Sequence, residues 1–159
     1  MRKSALPAIV VTTVLFLDLL TKQWIRTHLA LYETIAVTPF LDIVHFRNKG
    51  AAFGMLASLG NPFFITISTV AAVAIVTYMV KVEKDRLIMA SVLGGALGNM
   101  IDRISLGYVT DFVYLHVGQW YWPAFNVADT ALSIGIFLLV ASSLRHHPTG
   151  DEKETTNKD

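Results

Sequence analysis

Residues 61–80 read NPFFITISTVAAVAIVTYMV, with no charge at any position. A helix needs about 20 mostly apolar residues to cross the hydrocarbon of a bilayer, so this stretch reads as a membrane span and sets how its neighbours are read. Upstream, Leu6–Trp24 is charged only at Asp18 and Lys22. Downstream, the run from Leu87 towards Ile104 stays uncharged until Asp102 and Arg103, and Asn126 to Leu144 carries only Asp129. Four such spans in 159 residues, 53% hydrophobic and only 16% charged, predict an all-α membrane protein of one domain.

Composition removes several chemistries. With no cysteine there is no disulfide, thiolate nucleophile or Cys-held metal. His28, His45, His116, His146 and His147 form no H-E-x-x-H motif, and Ser91, Ser133 and Ser142 fall in no nucleophile elbow. A net charge of +1 without a basic patch gives no reason to expect a nucleic-acid partner. Arg2 and Lys3 precede an apolar run that lacks a small-residue cleavage site, so a retained anchor is expected rather than a removable signal peptide.

The charges between spans orient the bundle. Arg2 and Lys3, then Lys81, Lys84 and Arg86, then Arg145 mark one side as cytoplasmic, with both termini on it. Arg26, Arg47 and Lys49 run against this bias. At 1.5 Å per residue, Asp18 lies roughly 22 Å beyond Lys3, Asp102 roughly 24 Å beyond Arg86, and Asp129 roughly 24 Å before Arg145. Asp111 follows Asp102 by nine residues, so all four acids converge on the outer leaflet. Glu33 to Phe53 is too polar to span; its LDIVHF stretch at 41–46 and Asn48-Lys49-Gly50 predict a strand and a turn of a small outer sheet. The aromatic rings between Ser105 and Phe125 suit the headgroup level. Residues 1–145 thus read as the membrane domain, with outer elements near 27–60 and 105–125. Residues 146–159 are polar without apolar periodicity and are expected to be a disordered cytoplasmic tail.

Carboxylates at membrane depth mark functional sites. Asp111 and Asp129 are expected where helices meet the outer surface, close enough to share one proton. Such a pair suits peptide hydrolysis: one member takes a proton from water and the other hydrogen-bonds to the carbonyl. The competing reading makes Asp129 an N-cap or first-turn acid and Asp111 an ordinary surface acid. Asn126, three residues before Asp129, and Asn99 and Arg103 on the third span can orient the acids or bind a peptide. Equally, Asp102 can pair with Arg103. Asp18 and Lys22 are spaced for an ion pair, although Lys22 can snorkel outward instead. Gly94, Gly95, Ala96 and Gly98 suggest close helix packing. Gly50-Ala51-Ala52-Phe53-Gly54 suits either close approach by a substrate backbone or a turn into the second span. A different class of function, a small transporter or proton-conducting subunit, would also place Asp and Arg residues in the membrane.

Five ordered strings make the reading specific: Asp18-x-x-Thr21-Lys22; Asn48 to Gly54 (NKGAAFG); Gly94-Gly95-Ala96-x-Gly98-Asn99-x-Ile101-Asp102-Arg103; Val109-Thr110-Asp111-Phe112; and Trp122-Pro123-x-Phe125-Asn126-x-Ala128-Asp129. Over about residues 6–145 the chain resembles the bacterial lipoprotein signal peptidases, or signal peptidase II, aspartyl peptidases of the inner membrane. The resemblance implies four membrane helices with a small periplasmic sheet as a cradle, a short periplasmic helical element, and an active site at the periplasmic face. It implies Asp111 and Asp129 as catalytic acids. It also implies Asn48, Gly50, Asn99, Arg103 and Asn126 around peptide or dyad, with Asp18, Lys22 and Asp102 in supporting positions. The substrate it implies is a prolipoprotein whose cysteine carries a diacylglyceryl group, cut just before that cysteine within the membrane lipid. Activated water would serve without a cofactor or metal, and sensitivity to the cyclic peptide globomycin is expected. One bundle should enclose the whole site, so a monomer is expected.

Overall fold

The computed structural model describes residues 5–50 and 57–145. The expected Ala51–Gly54 part of the glycine-rich string, the leading Arg2 and Lys3, and the 146–159 tail with His146 and His147 lie outside the described residues. Among the described residues four helices are long and apolar enough to cross a membrane: α1 (Leu6–His28), α2 (Gly60–Lys81), α3 (Arg86–Leu106) and α4 (Val127–Leu144). Each expected span is present. α1 runs four residues past Trp24, because nothing between Gln23 and His28 breaks the helix before the chain turns extended at Leu29.

α3 is the centre of the bundle and packs against α1, α2 and α4. Its buried face carries Ala90, Val92, Leu93, Gly94, Gly95, Gly98, Asn99 and Asp102. The glycines on this face are what let the neighbours come close. A Cβ on Gly95 would lie 2.5 Å from the Ala128 carbonyl oxygen of α4, and one on Gly98 would run into the Asp18 carboxylate of α1. α2, by contrast, is apolar all round and buries none of its residues, the pattern of a helix whose solvent is lipid. α3 stops where Gly107 takes a left-handed φ of 81° and donates its N–H back to the Arg103 carbonyl, a conformation that costs glycine little.

A four-stranded antiparallel sheet sits at one end of the bundle, in the order β1 (Thr34–Thr38), β2 (Leu41–Asn48), β3 (Val109–Val117), β4 (Trp120–Tyr121). The sheet expected in Glu33–Phe53 supplies only half of it. The other half comes from the aromatic segment, which had been placed only at headgroup level. Asp111 therefore lies on β3, opposite Phe46 of β2, and not at a helix end. Ile25 and Leu29 at the end of α1 pack on Phe112 of β3, with Ile43, Val113 and Val127 against them, and this apolar knot seats the sheet on the bundle. Among the described residues, the helical element on this side is a 3-10 turn, Ala57–Leu59, leading into α2. The β3–β4 hairpin exposes its rings, Trp120 at 86%, as expected of side chains at a lipid–water boundary.

Gly95 thus sets how closely α3 and α4 approach. Gly95→Val is expected to destabilise the protein by about 1–3 kcal/mol through overpacking, read as a lower melting temperature in detergent. An unchanged melting curve would show that this contact does not set the helix spacing.

Candidate active site

The site starts from the unsatisfied N–H groups at the head of α4. Asn126 is its N-cap: the side-chain Oδ1 accepts from the Asp129 N–H at 2.9 Å. That bond fixes which way the amide faces. Its Nδ2 is turned the other way and donates to Asp111 Oδ1 at 2.8 Å, with the Thr110 carbonyl and Asn99 Oδ1 each at 3.3 Å. A single asparagine therefore touches the backbone of one aspartate and the carboxylate of the other. Of the two bland readings, the N-cap role belongs to Asn126, and Asp129 occupies the first turn, where the helix dipole favours an acid. Asp111 is no ordinary surface acid; it is only 3% exposed.

Asn48 and Asn99 complete the cradle. Asn48 Nδ2 donates to Asp111 Oδ2 at 3.0 Å, while its Oδ1 accepts from the Gly50 N–H at 2.9 Å. Asn99 Nδ2 donates to Asp129 Oδ1 at 2.7 Å. Its Oδ1 accepts from the Lys22 ammonium at 2.9 Å, and since an ammonium offers only donors, this contact leaves the NH2 for Asp129. Arg103 donates to the Gly50 carbonyl at 3.3 Å and lies over the Phe64 ring, 5.0 Å from its centre. Burial, and then the charge of Asp129, push the Asp111 carboxyl up to about 7, against the pull of the Asn48 and Asn126 hydrogen bonds.

Behind the pair lies a buried ionic cluster. Lys22 is fully buried and does not snorkel; it reaches Asp18 Oδ2 at 2.7 Å and Asp102 Oδ2 at 3.4 Å. Asp18 Oδ1 accepts the Ala128 N–H at 2.8 Å, satisfying another orphan donor of α4. Asp102 does not pair with Arg103, since neighbours on a helix point in different directions. It accepts from the Thr110 N–H at 3.0 Å and pairs with Arg26 at 3.1 Å. Arg26 also donates to Thr110 Oγ1 at 3.1 Å. Arg26 and Thr110 had not been singled out as site residues. The signal for Arg26 was present: Asp18, Lys22 and Arg26 form an i, i+4 ladder of alternating charge on one face of α1. Two acids and two bases leave this cluster neutral.

Two clefts meet at the pair. One, of about 600 Å³, holds Asp129, Asn99 and Arg103 against Val109, Phe125 and Leu132. The other, of about 950 Å³, opens from Asp111 past Arg47, Lys49 and Tyr108. Asn48, Gly50, Pro123 and Ala124 border both. The histidines stay apart: His45 bonds the Leu29 carbonyl, His116 faces Asp42, and His28 stacks on Trp24. Among the described residues no group of three or more His, Asp and Glu gathers to hold a metal ion.

A family model described as signal peptidase (SPase) II matches residues 10–145. A lipoprotein signal peptidase of Syntrophus aciditrophicus is 43% identical over 143 residues, covering 83% of this chain and 88% of that protein. One from Pseudoalteromonas atlantica is 38% identical over 159 residues, covering 95% and 97%. A solved structure, described as a bacterial membrane enzyme determined by the in meso method at 2.3 Å resolution, superposes with a TM-score of 0.84 at 32% identity, over 93% of each chain. By sequence along nearly all its length and by fold, the chain belongs to the signal peptidase II family.

Proposed function

We propose that Asp111 and Asp129 are the catalytic acids of an endopeptidase that cuts diacylglyceryl-modified prolipoproteins immediately before the lipidated cysteine. The observation that carries this reading is the pair itself: two acids bridged by Asn126, each bordering a cleft, with Asp111 pushed up to about 7. The ionised carboxylate takes a proton from water as the water oxygen bonds to the scissile carbonyl carbon. The protonated carboxyl hydrogen-bonds to the developing oxyanion. Collapse of the tetrahedral intermediate breaks the C–N bond, with a proton passing to the leaving amine. No acyl-enzyme forms.

The remaining site residues divide by what they touch. Asn48, Asn99 and Asn126 orient the carboxylates, while Gly50 and Arg103 border the cleft that receives the peptide. Asp18, Lys22 and Asp102 act through these groups as positioning residues. The protein is a multi-pass inner-membrane protein, and the basic residues Lys81, Lys84, Arg86 and Arg145 lie at the end of the bundle away from the sheet. This supports cytoplasmic termini and an active site at the periplasmic face. It also supports one membrane domain through residue 145, with a cytoplasmic tail. A single bundle supplies every group of the site, which supports action as a monomer. Globomycin, a cyclic peptide, would compete for the same clefts. A transporter would need its polar path to continue through the bundle. On α3 the buried residues from Ala90 to Gly95 are all apolar or glycine, and polarity begins only at Asn99.

The purified protein is expected to release the signal peptide from a diacylated prolipoprotein and not from its unlipidated form. Asp111→Asn and Asp129→Asn should each lower turnover by about 10²–10⁴-fold with the protein still folded by melting analysis. Near-normal cleavage by either variant would remove the dyad assignment.

The pH dependence follows from the shared proton. kcat/KM is expected to fall as pH rises through about 7, and Asn48→Ala should move that limb to higher pH, because a donor that favours the carboxylate has been removed. Stability has a matching sign. The folded state keeps a proton on Asp111 that the unfolded chain releases above about pH 4, so this group's contribution declines from about pH 4 to 7 and is flat beyond. Melting temperatures of the native protein and Asp111→Asn across that range check it; the variant should lack the decline.

A further inference from the structure

Arg47 and Lys49 break the charge rule that the other loops obey, since they lie at the sheet end of the bundle. The structure gives them a common location. Both line the 950 Å³ cleft that opens from Asp111, together with the rings of Tyr32, Phe46, Tyr108 and Tyr114. The Arg47 guanidinium is stacked 4.7 Å from the centre of the Tyr108 ring, which holds its position without neutralising it. Among the described residues neither cation has an acidic partner. The nearby acids are occupied elsewhere: Glu33 accepts from the Ala30 N–H at 2.6 Å, and Asp42 faces His116 at 3.4 Å. Asp111 is the one acid among the cleft's lining residues.

The two clefts also differ in what they can hold. The 600 Å³ cleft is bordered by Leu132 and Ser133, a turn further into α4 from Asp129, and so reaches along a membrane helix. The larger cleft takes no wall from α4 and is built from strands, loops and the last residue of α3, Leu106. A peptide bond held between Asp111 and Asp129 has one side in each. The apolar signal segment suits the cleft that runs along α4, which leaves the polar chain after the cleaved bond for the basic one.

We propose that the basic cleft binds the first residues following the lipidated cysteine and favours substrates with acidic side chains there. This rests on the peptidase reading above and adds a substrate preference to it. Phe46 is the strand partner of Asp111, and Arg47 and Lys49 follow it by one and three residues. At about 3.3 Å per extended residue, their charges meet a bound peptide about one to three residues beyond the dyad. Both cations are exposed, so each contributes the modest attraction of a solvated ion pair.

The test compares three diacylated prolipoproteins that differ only in the three residues after the cysteine: acidic, serine or lysine. The enzyme is reconstituted in zwitterionic lipid, so that anionic headgroups cannot occupy the cleft. kcat/KM should fall in the order acidic, serine, lysine, by about two- to fivefold per step, chiefly through KM, and 0.5 M salt should compress the series. With Arg47 in place, Lys49→Glu cancels the charge of the two cations and should flatten the series, while Arg47→Gln should narrow it; Lys49→Gln should narrow it likewise if the charge reversal does not fold. Equal rates for the three substrates, or a spread undiminished in the Lys49 variants, would overturn the proposal and leave the peptidase reading standing. A preference that emerges only when anionic lipid is added would assign the cleft to headgroups and overturn it too. Cleavage of none of the three would sink both.

Discussion

The Lys22 ammonium is the contact on which the rest of the site depends. Its three polar neighbours are Asp18, Asp102 and Asn99, and each carries a different part of the chain. Asp18 holds the Ala128 N–H at the head of α4, Asp102 holds the Thr110 N–H at the start of β3, and Asn99 holds Asp129. One buried cation therefore ties α1 and α3 to the two elements that present Asp111 and Asp129. Taking it away would leave the Asp18 carboxylate without its ion-pair partner and Asp102 with Arg26 alone, and breaking a buried ionic group of this kind costs about 3–5 kcal/mol. The cluster is tolerated within a membrane bundle because Arg26 balances its charge and backbone N–H groups fill the remaining acceptors.

Close packing makes the cluster possible. Gly98 has no side chain where the Asp18 carboxylate sits, and Gly95 lets the Ala128 backbone come down on α3. The mundane account of the glycine run as a packing surface and the catalytic account of the acids are thus one account. The small residues bring three helices close enough for Asp18 to reach the first turn of α4. Larger residues would separate the helices and leave those amides and carboxylates without partners.

The spans and the gathering of Asp18, Asp102 and Asp129 at one end of the bundle were legible because they rest on local hydropathy and helix rise. Strand pairing was only half legible. LDIVHF was read as strand, yet VTDFVYLHV at 109–117, equally rich in β-branched and aromatic residues, was read only for the rings near it, as a boundary segment. Its partner is β2, more than 60 residues away, and a register such as Phe46 opposite Asp111 leaves no local trace. The choice of counter-ion was likewise hidden. Asp102 and Arg103 are adjacent in sequence, but the helix turns Asp102 towards Lys22 and Arg26 and leaves Arg103 facing Gly50 and Phe64. The cap at Asn126 could have been read from Asn-x-x-Asp before an apolar run, since a side-chain acceptor three residues before an acid is how a helix begins.

The position of the dyad explains why the protein needs both a bundle and a sheet. An acid on a membrane helix alone would face lipid and keep its proton; an acid on an outer strand alone would be solvated and fully ionised. Asp129 comes from the first and Asp111 from the second, and Asn126 fixes their relation with one bond to the backbone of one and one to the carboxylate of the other. Each acid also borders a different cleft, and the proposed direction of a bound chain rests on that difference. On the proposed assignment, hydrolysis at that junction requires the substrate to change environment at the bond that is cut. A segment anchored in lipid on one side and polar on the other meets that requirement before any side chain has been recognised.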